Sequence, residues 1–365
     1  MSATELVVDL QAIARNVETL RVRGGGRAII AAVKADAYGH GMVPVARHIE
    51  PIVTGFGVAT VDEGLRLRQA GISKLVLKLS PAGVDELPAA IAADVTLVVG
   101  SLDDIERIAR AARQVGRRAD VHLKVDTGMR RVGVAPEEAG RAAAAIRASE
   151  DLRLQGVMTH FAVADVEEGR AFTALQRERF VAATRAVGPV PYVHSGNSAG
   201  ILNHDLGDDT AMRPGIALYG SAPELNLDEE GLLAPVVRWT TKVTLVKDVA
   251  AGESVSYGRI WAPAADTRIA TVAVGYGDGF SRRNSSRGRV LIDGRSYPVV
   301  GRVCMDQILV DVGPASTVAP GDEVVLLGAS GDERITPQEL ADLMETIPYE
   351  VTCLITARVP RRYVG

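Results

Sequence analysis

The stretch AIIAAVKADAYGHG, residues 28–41, joins a run of six apolar residues to a polar segment that begins with Lys34. The apolar run is typical of a buried β-strand, and a lysine at the end of such a strand has two interpretations. One is solvation, because strands that reach the surface often end on charged residues. The other is chemical, because a lysine desolvated at the mouth of a sheet or barrel can lose its proton and form a Schiff base with a carbonyl group.

The same alternation of a short apolar run and a longer helical segment recurs from about residue 28 to residue 220, which indicates βα units. Eight units favour a (β/α)8 TIM-type barrel over a doubly wound sheet, whose G-x-G-x-x-G fingerprint is missing; VGYGDG (274–279) has the wrong spacing. The eight predicted strands are AIIAAV (28–33), GFGVA (55–59), KLVLKL (74–79), VTLVV (95–99), DVHLKV (120–125), LQGVMTH (154–160), YVHS (192–195) and TAMR (210–213).

The pattern changes after about residue 235. Further strands, joined by turns such as DG and GD, are predicted at VVRWTTKVTLVKDV, RIATVAV, GRVLIDGRSYPVVGRV, QILVDVG and EVVLLG, with one helix near ITPQELADLMETI. We therefore predict an α/β fold with two domains, a (β/α)8 barrel over residues 1–234 and a mainly β domain over residues 235–365. The N-terminal ELVVDL is expected to add a strand to the β domain, followed by a helix that leads into the barrel.

The composition excludes several classes of protein. Of the 365 residues, 47% are hydrophobic and 24% charged, as in globular proteins with a large core. The net charge of −4, with basic residues spread along the chain, disfavours nucleic-acid and membrane partners and favours a small-molecule ligand. MSATELVVDLQ has no signal-peptide pattern, so we expect a cytoplasmic protein. Cys304 and Cys353 lie outside any C-x-x-C pattern and H-E-x-x-H is missing, so we expect neither a disulfide framework nor a catalytic metal.

If the barrel forms, the residues at the C-terminal ends of its strands converge on one mouth. Each has an ordinary structural interpretation. His160 could be a satisfied polar residue and Lys124 a capping or solvated lysine, while Ser198 could be a helix N-cap and Arg213 could pair with a carboxylate. Together with Lys34 they supply what pyridoxal phosphate requires, namely a covalent anchor, a phosphate seat and a partner for the ring nitrogen.

The segment AVKADAYGHG resembles the cofactor-attachment motif of alanine racemases. Further motifs resemble that family in the family's own order, over nearly the whole chain: HLKVDTGMRRVG, VMTHFA, SGNSAG, MRPGIALYG, VSYGR, VGYGDGF, GRVCMDQILVDVG and ARVPRRY. The resemblance implies a pyridoxal-phosphate-dependent amino-acid racemase, an isomerase that interconverts L-alanine and D-alanine and supplies D-alanine for peptidoglycan. It also implies a homodimer whose active sites are shared across the interface.

The same resemblance implies roles for individual residues. Lys34 and Tyr257 would be the two bases that move protons on opposite faces of the substrate while it is held as an aldimine. Tyr257 would reach the site of the partner subunit, as would the segment with Met305 and Asp306. The implied cofactor-binding residues are Lys34, Tyr38, His160, Ser198, Arg213, Gly215 and Ile216, with Tyr349 or a neighbour near the phosphate. The implied substrate-binding residues are Arg131, Met305 and Asp306, and Lys124 matches a lysine that is carbamylated in many members.

Several alternatives remain open. Ala357 in ITARVPRRY stands where some members carry a tyrosine, so the pocket could admit a larger substrate such as serine. A racemase-like dimer that sequesters cycloserine would retain Lys34 and Tyr257, and only turnover distinguishes it from an enzyme. A decarboxylase of basic amino acids is disfavoured because its usual ring-nitrogen partner is a glutamate, whereas this chain has Arg213. A small cofactor-carrying barrel protein is disfavoured because that class lacks a C-terminal β domain.

Overall fold

The computed structural model describes residues 4–224, 227 and 231–365. The chain divides into two compact units, of which the first spans Ile13–Ala234 and the second joins the residues before Ile13 to Pro235–Gly365. We call these the barrel unit and the β unit. None of the helices in the described part of the chain is both long and apolar enough to cross a membrane.

Secondary structure alternates regularly through the barrel unit. Strand β1 (Glu5–Asp9) belongs to the β unit, and helix α1 (Leu10–Arg23) follows it and leads into the barrel unit. A strand then forms at each of the eight predicted runs: β2 (Ala28–Ala32), β3 (Gly55–Val58), β4 (Leu75–Lys78), β5 (Leu97–Val99), β6 (Ala119–Lys124), β7 (Leu152–Met158), β8 (Tyr192–His194) and β9 (Ala211–Met212). The helices between and after them are α2 (Lys34–Tyr38), which is a single left-handed turn, and then α3 (Met42–Ile49), α4 (Val61–Gln69), α5 (Leu87–Ala92), α6 (Leu102–Val115), α7 (Ala139–Ala148), α8 (Arg170–Val187) and α9 (Ser198–Asn203).

The eight strands close into a barrel. They form two parallel sheets with the orders β4-β3-β2-β9 and β5-β6-β7-β8. A parallel bridge between Leu77 and Thr96 joins one pair of edges, and the N–H of Thr210 donates to the carbonyl of Val193 at 2.8 Å across the other. The interior is packed, because five of the eight strands contribute buried side chains to one apolar cluster, Ile30, Leu77, Val98, Met158 and Ala211. These apolar side chains fill the interior, and the polar residues lie at the mouth, at the C-terminal ends of the strands.

Local sequence signals set the ends of the helices. The hydroxyl of Ser101 accepts the N–H of Asp104 at 3.2 Å and caps the N-terminus of α6. Gly116 ends that helix in the left-handed conformation with φ 66°. Between these caps, Ile105 and Ile108 lie on the buried face of the helix, so α6 covers the barrel with one apolar side.

The β unit is built on one large, mainly antiparallel sheet. Its remaining elements are β10 (Val237–Val249), β11 (Thr267–Val272), β12 (Arg289–Ile292), β13 (Arg295–Val300), β14 (Ile308–Asp311), β15 (Glu323–Ser330), β16 (Glu333–Ile335), α10 (Pro337–Met344), α11 (Pro348–Cys353) and β17 (Arg361–Val364). The strand order is β16-β15-β12-β13-β14-β11-β10-β1-β17, and an additional pairing of β10 with β15 closes six of these strands on themselves. Asp293 and Gly294 link β12 to β13 with φ values of 49° and 71°, as a two-residue type I′ turn requires.

Candidate active site

The structure brings most of the expected residues of the barrel unit to one mouth. Lys34 follows β2, Lys124 ends β6, His160 follows β7 and Arg213 follows β9, so all four lie at C-terminal ends of parallel strands. They are also close enough to interact, because the positive charges of Arg213, Arg131 and Lys34 all lower the pKa of Lys124. These four residues are far apart in the sequence, and only the folded barrel brings them together.

Lys34 begins an unusual turn. Ala35, Asp36 and Ala37 all have left-handed backbone angles, with φ between 52° and 56°, and Tyr38 continues the turn with φ 56°. For residues other than glycine this conformation costs roughly 1–2 kcal/mol each. Contacts around the turn compensate, since the N–H of Ala35 donates to Glu63 Oε1 at 2.6 Å and Asp36 Oδ1 accepts the N–H of Met42 at 2.9 Å. Backbone strain of this kind is typical of functional sites.

Arg213 is buried and uses four of its five N–H groups within the barrel. Nη1 donates to the carbonyl of His194 at 2.7 Å and to His194 Nδ1 at 2.8 Å. Nη2 donates to the carbonyls of Thr159 at 2.5 Å and Ser195 at 3.2 Å, and His160 Nδ1 lies 3.4 Å away. Within the described residues, no acceptor takes the Nε–H and no carboxylate forms an ion pair with Arg213. The interpretation of Arg213 as one half of an ion pair is therefore wrong.

The charge state of Arg213 follows from its surroundings. Burial lowers its pKa to about 10, and the attraction of Asp209 opposes that shift. The guanidinium is therefore protonated at neutral pH, and its remaining Nε–H is a donor available to a ligand. A pyridine nitrogen with a free lone pair is an acceptor of the kind that this donor needs.

The sequence suggests Ser198 as the N-cap of α9, but the structure shows that Ser198 is not the cap. The N-cap is Asn197, whose backbone is extended and whose side-chain oxygen accepts the N–H of Gly200 at 2.9 Å. Ser198 is the first helical residue instead, and its hydroxyl accepts the N–H groups of Gly215 at 2.9 Å and Ala217 at 3.3 Å. Ser198 therefore ties the loop after β8 to the loop after β9.

The groups that these loops present suit a phosphate. A Cβ atom on Gly215 would lie 2.4 Å from the hydroxyl oxygen of Tyr38, so only glycine allows the backbone to approach this ring. Ile216 follows with its side chain buried, and no described residue accepts its backbone N–H. Backbone N–H groups beside hydroxyl groups are a typical arrangement for binding phosphate.

Lys124 is neither a solvated nor a capping lysine. Its side chain is buried, with the residue 6% exposed, and Nζ donates to the carbonyl of Leu79 at 3.4 Å. Burial and then the charges of Arg213, Arg131 and Lys34 lower the pKa of Lys124 to about 8, against a smaller raising effect of Asp126. His160 is affected in the same way, because burial followed by the charge of Arg213 lowers its pKa well below 6.5. Positive charge thus dominates the mouth, which favours anionic ligands.

Tyr257 lies in the β unit on an exposed turn, Tyr257–Arg259, and is itself 70% exposed. Ser256 before it has φ 63°, and its hydroxyl donates to the carbonyl of Arg302 at 2.7 Å. This bond fixes the base of the turn, so the phenol projects from a held backbone rather than from a loose loop.

The segment with Met305 and Asp306 is also held within the β unit. The N–H groups of Tyr276 and Gly277 donate to the carbonyls of Cys304 and Met305 at 3.0 and 2.9 Å. A Cβ atom on Gly275 would lie 2.3 Å from the carbonyl oxygen of Cys304. The first glycine of VGYGDG is therefore needed for this close backbone approach and not for binding a nucleotide. Met305 is nevertheless 52% exposed, so its side chain is available for contacts.

Sequence reasoning missed His194, Asn197 and the carbonyl of Thr159 as parts of this site. His194 lies in the predicted strand YVHS, one residue before its end, and its inward position there was the available signal. Asn197 precedes Ser198, and asparagine is as good an N-cap as serine. The carbonyl of Thr159 carried no signal, because every residue has one.

These features define a class of protein. A parallel barrel that presents a lysine, a buried arginine with one open donor and an anion seat at its mouth, on a chain with a separate β unit, is typical of pyridoxal-phosphate enzymes of the barrel type. The family model "Alanine racemase, N-terminal domain" matches residues 8–223, and "Alanine racemase, C-terminal domain" matches residues 236–363. The chain belongs to the alanine racemase family, which depends on pyridoxal phosphate.

Individual alanine racemases are similar to this chain over nearly their whole length. The chain is 44% identical over 370 residues to the alanine racemase of Cutibacterium acnes, covering 100% of this chain and 98% of the relative. The crystal structure of alanine racemase from E. faecalis is similar with a TM-score of 0.93 at 37% identity, covering 100% of this chain and 98% of the other. The Bacillus anthracis enzyme, solved with bound L-Ala-P, gives a TM-score of 0.91 at 34% identity, with 100% and 96% covered.

Proposed function

We propose that this protein interconverts L-alanine and D-alanine, with pyridoxal phosphate bound at the mouth of the barrel unit. The observation that carries the proposal is Arg213, which spends four N–H groups on the barrel and keeps one donor for the ring nitrogen of the cofactor. Ser198, Gly215, Ile216 and Tyr38 would hold the phosphate, and Lys34 would anchor the cofactor covalently. When bound, the cofactor supplies a ring that withdraws electrons from the α-carbon of the amino acid.

Two bases are needed, because racemisation removes a proton from one face of the α-carbon and returns one to the other. Lys34 serves one face. Tyr257 serves the opposite face and comes from a second copy of the chain, so that a homodimer has two shared sites. The exposure of Tyr257, Ile260 and Met305, which are 70%, 50% and 52% exposed, supports a partner surface here, because clustered exposed apolar side chains mark such surfaces.

Arg213 also favours racemisation over side reactions. With a pKa of about 10 it donates a hydrogen bond to the ring nitrogen without giving up its proton at neutral pH. By leaving the ring nitrogen unprotonated, Arg213 would weaken the withdrawal of electrons from the α-carbon. Arg213 would therefore favour return of the α-proton over transamination. His160 supports this role from beside Nη2 of Arg213.

The substrate carboxylate is bound by Arg131 and by the segment with Met305 and Asp306 from the partner. The positioning of this segment in the β unit supports that role. Arg358 donates to Asp306 Oδ1 at 2.7 Å and forms an ion pair with the buried Asp278 at 3.4 Å, so Asp306 is linked to the protein interior. D-Alanine made in this way serves peptidoglycan synthesis in the cytoplasm.

Lys124 is carbamylated in this proposal. Its neutral amine attacks the carbon of CO2, a C–N bond forms, and the proton of the amine passes to water. With a pKa of about 8, roughly one Lys124 in ten is neutral at pH 7, against about one lysine in a few thousand at the reference pKa. The carbamate is an anion, so the repulsion from Arg131 and Arg213 becomes attraction, and it can orient Arg131 toward the substrate.

The carbamate should be detectable with 13C-labelled bicarbonate. We expect one protein carbamate signal that grows as the pH rises from about 6.5 to about 8.5, because the neutral fraction of Lys124 increases through its pKa. The signal should vanish in Lys124→Arg and persist in Lys78→Arg, a control that alters the other buried strand-end lysine. A signal of equal size in both variants would place the carbamate elsewhere.

The function itself is tested by chiral analysis of the products from L-alanine and L-serine, with purified protein and added pyridoxal phosphate. Racemase activity requires an approach to equal amounts of D- and L-alanine. If the protein retains the yellow cofactor but forms no D-amino acid from either substrate, the cycloserine-binding alternative becomes the better explanation.

The width of the pocket is tested by Ala357→Tyr. Ala357 is exposed and lies between Thr356, which donates to the carbonyl of Gly277 at 2.9 Å, and Arg358. A tyrosine there would add a ring beside the segment with Met305 and Asp306. We expect kcat/KM for L-serine to fall about tenfold and that for L-alanine to fall about twofold or less, as one lost CH2-sized space in a pocket allows. Equal losses for both substrates would contradict a wider pocket.

A further inference from the structure

Two buried histidines lie in a row beside Arg213. His122 is on β6, two residues before Lys124, and His194 ends β8. His122 Nδ1 lies 2.8 Å from His194 Nε2, and His194 Nδ1 lies 2.8 Å from Nη1 of Arg213. Both imidazoles are completely buried. The sequence motifs and the reaction described above assign no task to His122.

The direction of these hydrogen bonds is determined by chemistry. A guanidinium has no acceptor, so Arg213 must donate to Nδ1 of His194. The proton of His194 is then on Nε2, which donates to Nδ1 of His122. His122 must in turn carry its proton on Nε2, an atom with no hydrogen-bond partner in the part of the chain that the structure describes.

Both rings remain neutral. Burial, and secondly the charge of Arg213, lower the pKa of His122 to about 3 and that of His194 well below 6.5. The tautomer of each ring is therefore set by its neighbour and does not change with protonation at physiological pH.

The strand next to His122 is shaped around its ring. In the pairing of β6 with β7, Val121 is opposite Leu154 but His122 is opposite Gly156, so Gln155 is an extra residue, a β-bulge. A Cβ atom on Gly156 would lie 2.7 Å from both Cε1 and Nδ1 of His122. The ring also stacks on Tyr192, with 5.7 Å between centroids. A bulge and a glycine thus make room for an imidazole where a small apolar residue would need neither.

We propose that His122 is a positioning residue for Arg213. By accepting the Nε2–H of His194, it fixes the His194 tautomer whose Nδ1 accepts from Arg213, and so fixes the orientation of the guanidinium. The direction of the open Nε–H of Arg213 is set by this row; the benefit to catalysis rests on the proposed function, in which that N–H binds the cofactor ring.

Removing the acceptor on His122 changes the row. His194 would be left with a buried Nε2–H and no partner, and the tautomer with a proton on Nδ1 would become competitive. That proton would face an N–H of Arg213, and two donors cannot bond to each other. Arg213 would then lose one of its four fixed contacts and turn.

Two substitutions separate this role from packing. In His122→Asn the side-chain oxygen takes nearly the position of Nδ1, so the acceptor remains although volume is lost. In His122→Phe the volume and the stacking on Tyr192 remain, but the acceptor is lost. The proposal expects racemisation to fall about tenfold or more in the Phe variant and clearly less in the Asn variant. A packing role predicts the opposite order.

The decisive readout does not depend on activity. In cofactor-free protein labelled with 15N-histidine, the ring shifts should show protons on Nε2 of both His122 and His194 in the native chain and on Nε2 of His194 in the Asn variant. The Phe variant should show a proton on Nδ1 of His194. A proton on Nδ1 of either ring in the native protein would overturn the proposal, even if the Phe variant fails to fold. If the native protein shows no racemisation, the proposed function is refuted, but the expected tautomers are unaffected.

Discussion

Replacing Lys34 by alanine is expected to abolish racemisation, with a loss of about four orders of magnitude or more. In the proposed mechanism the substitution removes two functions at once, the covalent anchor of the cofactor and the base on one face of the substrate. Lys34 is the half-buried residue that follows β2 and begins a left-handed turn. Lys124 lies in the same cluster but is bound to the carbonyl of Leu79.

The measurement combines chiral product analysis with borohydride reduction, which makes a cofactor–lysine bond permanent. In the native protein the mass label should be on Lys34, and in Lys34→Ala it should be lost. Lys78→Gln is the matched control, because Lys78 ends β4 and is equally a strand-end lysine, yet its ammonium donates to the carbonyls of Ser80 at 3.0 Å and Pro81 at 2.8 Å. A Lys34→Ala protein that still racemises alanine would remove the anchor role from Lys34.

Tyr257→Phe should slow racemisation by about 10²–10⁴-fold, the usual effect of losing a general acid or base. In the proposed mechanism the remaining base, Lys34, would still remove and return a proton on its own face. We therefore expect the variant in D2O to exchange the α-hydrogen of one alanine enantiomer with retention of configuration, and to exchange that of the other enantiomer far more slowly. Tyr297→Phe is the control, since Tyr297 is on β13 of the same unit. Exchange of both enantiomers at native rates would exclude a two-base mechanism with Tyr257.

A mixture of the two inactive variants tests whether the sites are shared. If Tyr257 acts in the partner's site, a hybrid dimer of Lys34→Ala and Tyr257→Phe chains has one site with both substitutions and one with neither. Random exchange of subunits should then restore about a quarter of the native rate. If each chain uses its own tyrosine, both sites of the hybrid carry one substitution and no activity returns.

The fold class could be predicted from the sequence because barrel strands and their helices have local signatures. Apolar runs such as AIIAAV and KLVLKL are bounded by helical segments, and all eight predicted strands are present. Turn chemistry was equally local, as the Asp293–Gly294 hairpin shows. The residues at the mouth followed from one geometric rule, that parallel strands present their C-terminal ends together.

The sequence was less reliable about what each site residue touches. Serine is a typical N-cap residue, but Ser198 is the first residue of α9 because Asn197, which precedes it, is the N-cap. Arg213 had the chemistry of an ion-pair partner but bonds to carbonyls and a histidine instead. Local propensity cannot decide between acceptors that come from other strands.

The sequence by itself thus determined the elements of this protein, their order and the family to which the chain belongs, since these depend on periodicity and on short motifs. Only the tertiary structure decided the hydrogen-bond partners, the charge states and the tautomers of the site. His122 and His194 are 72 residues apart in the chain, and Arg213 is a further 19 residues away. Their charge states and tautomers depend on burial and on the hydrogen bonds among them, and the burial and the hydrogen bonds form only when the barrel closes.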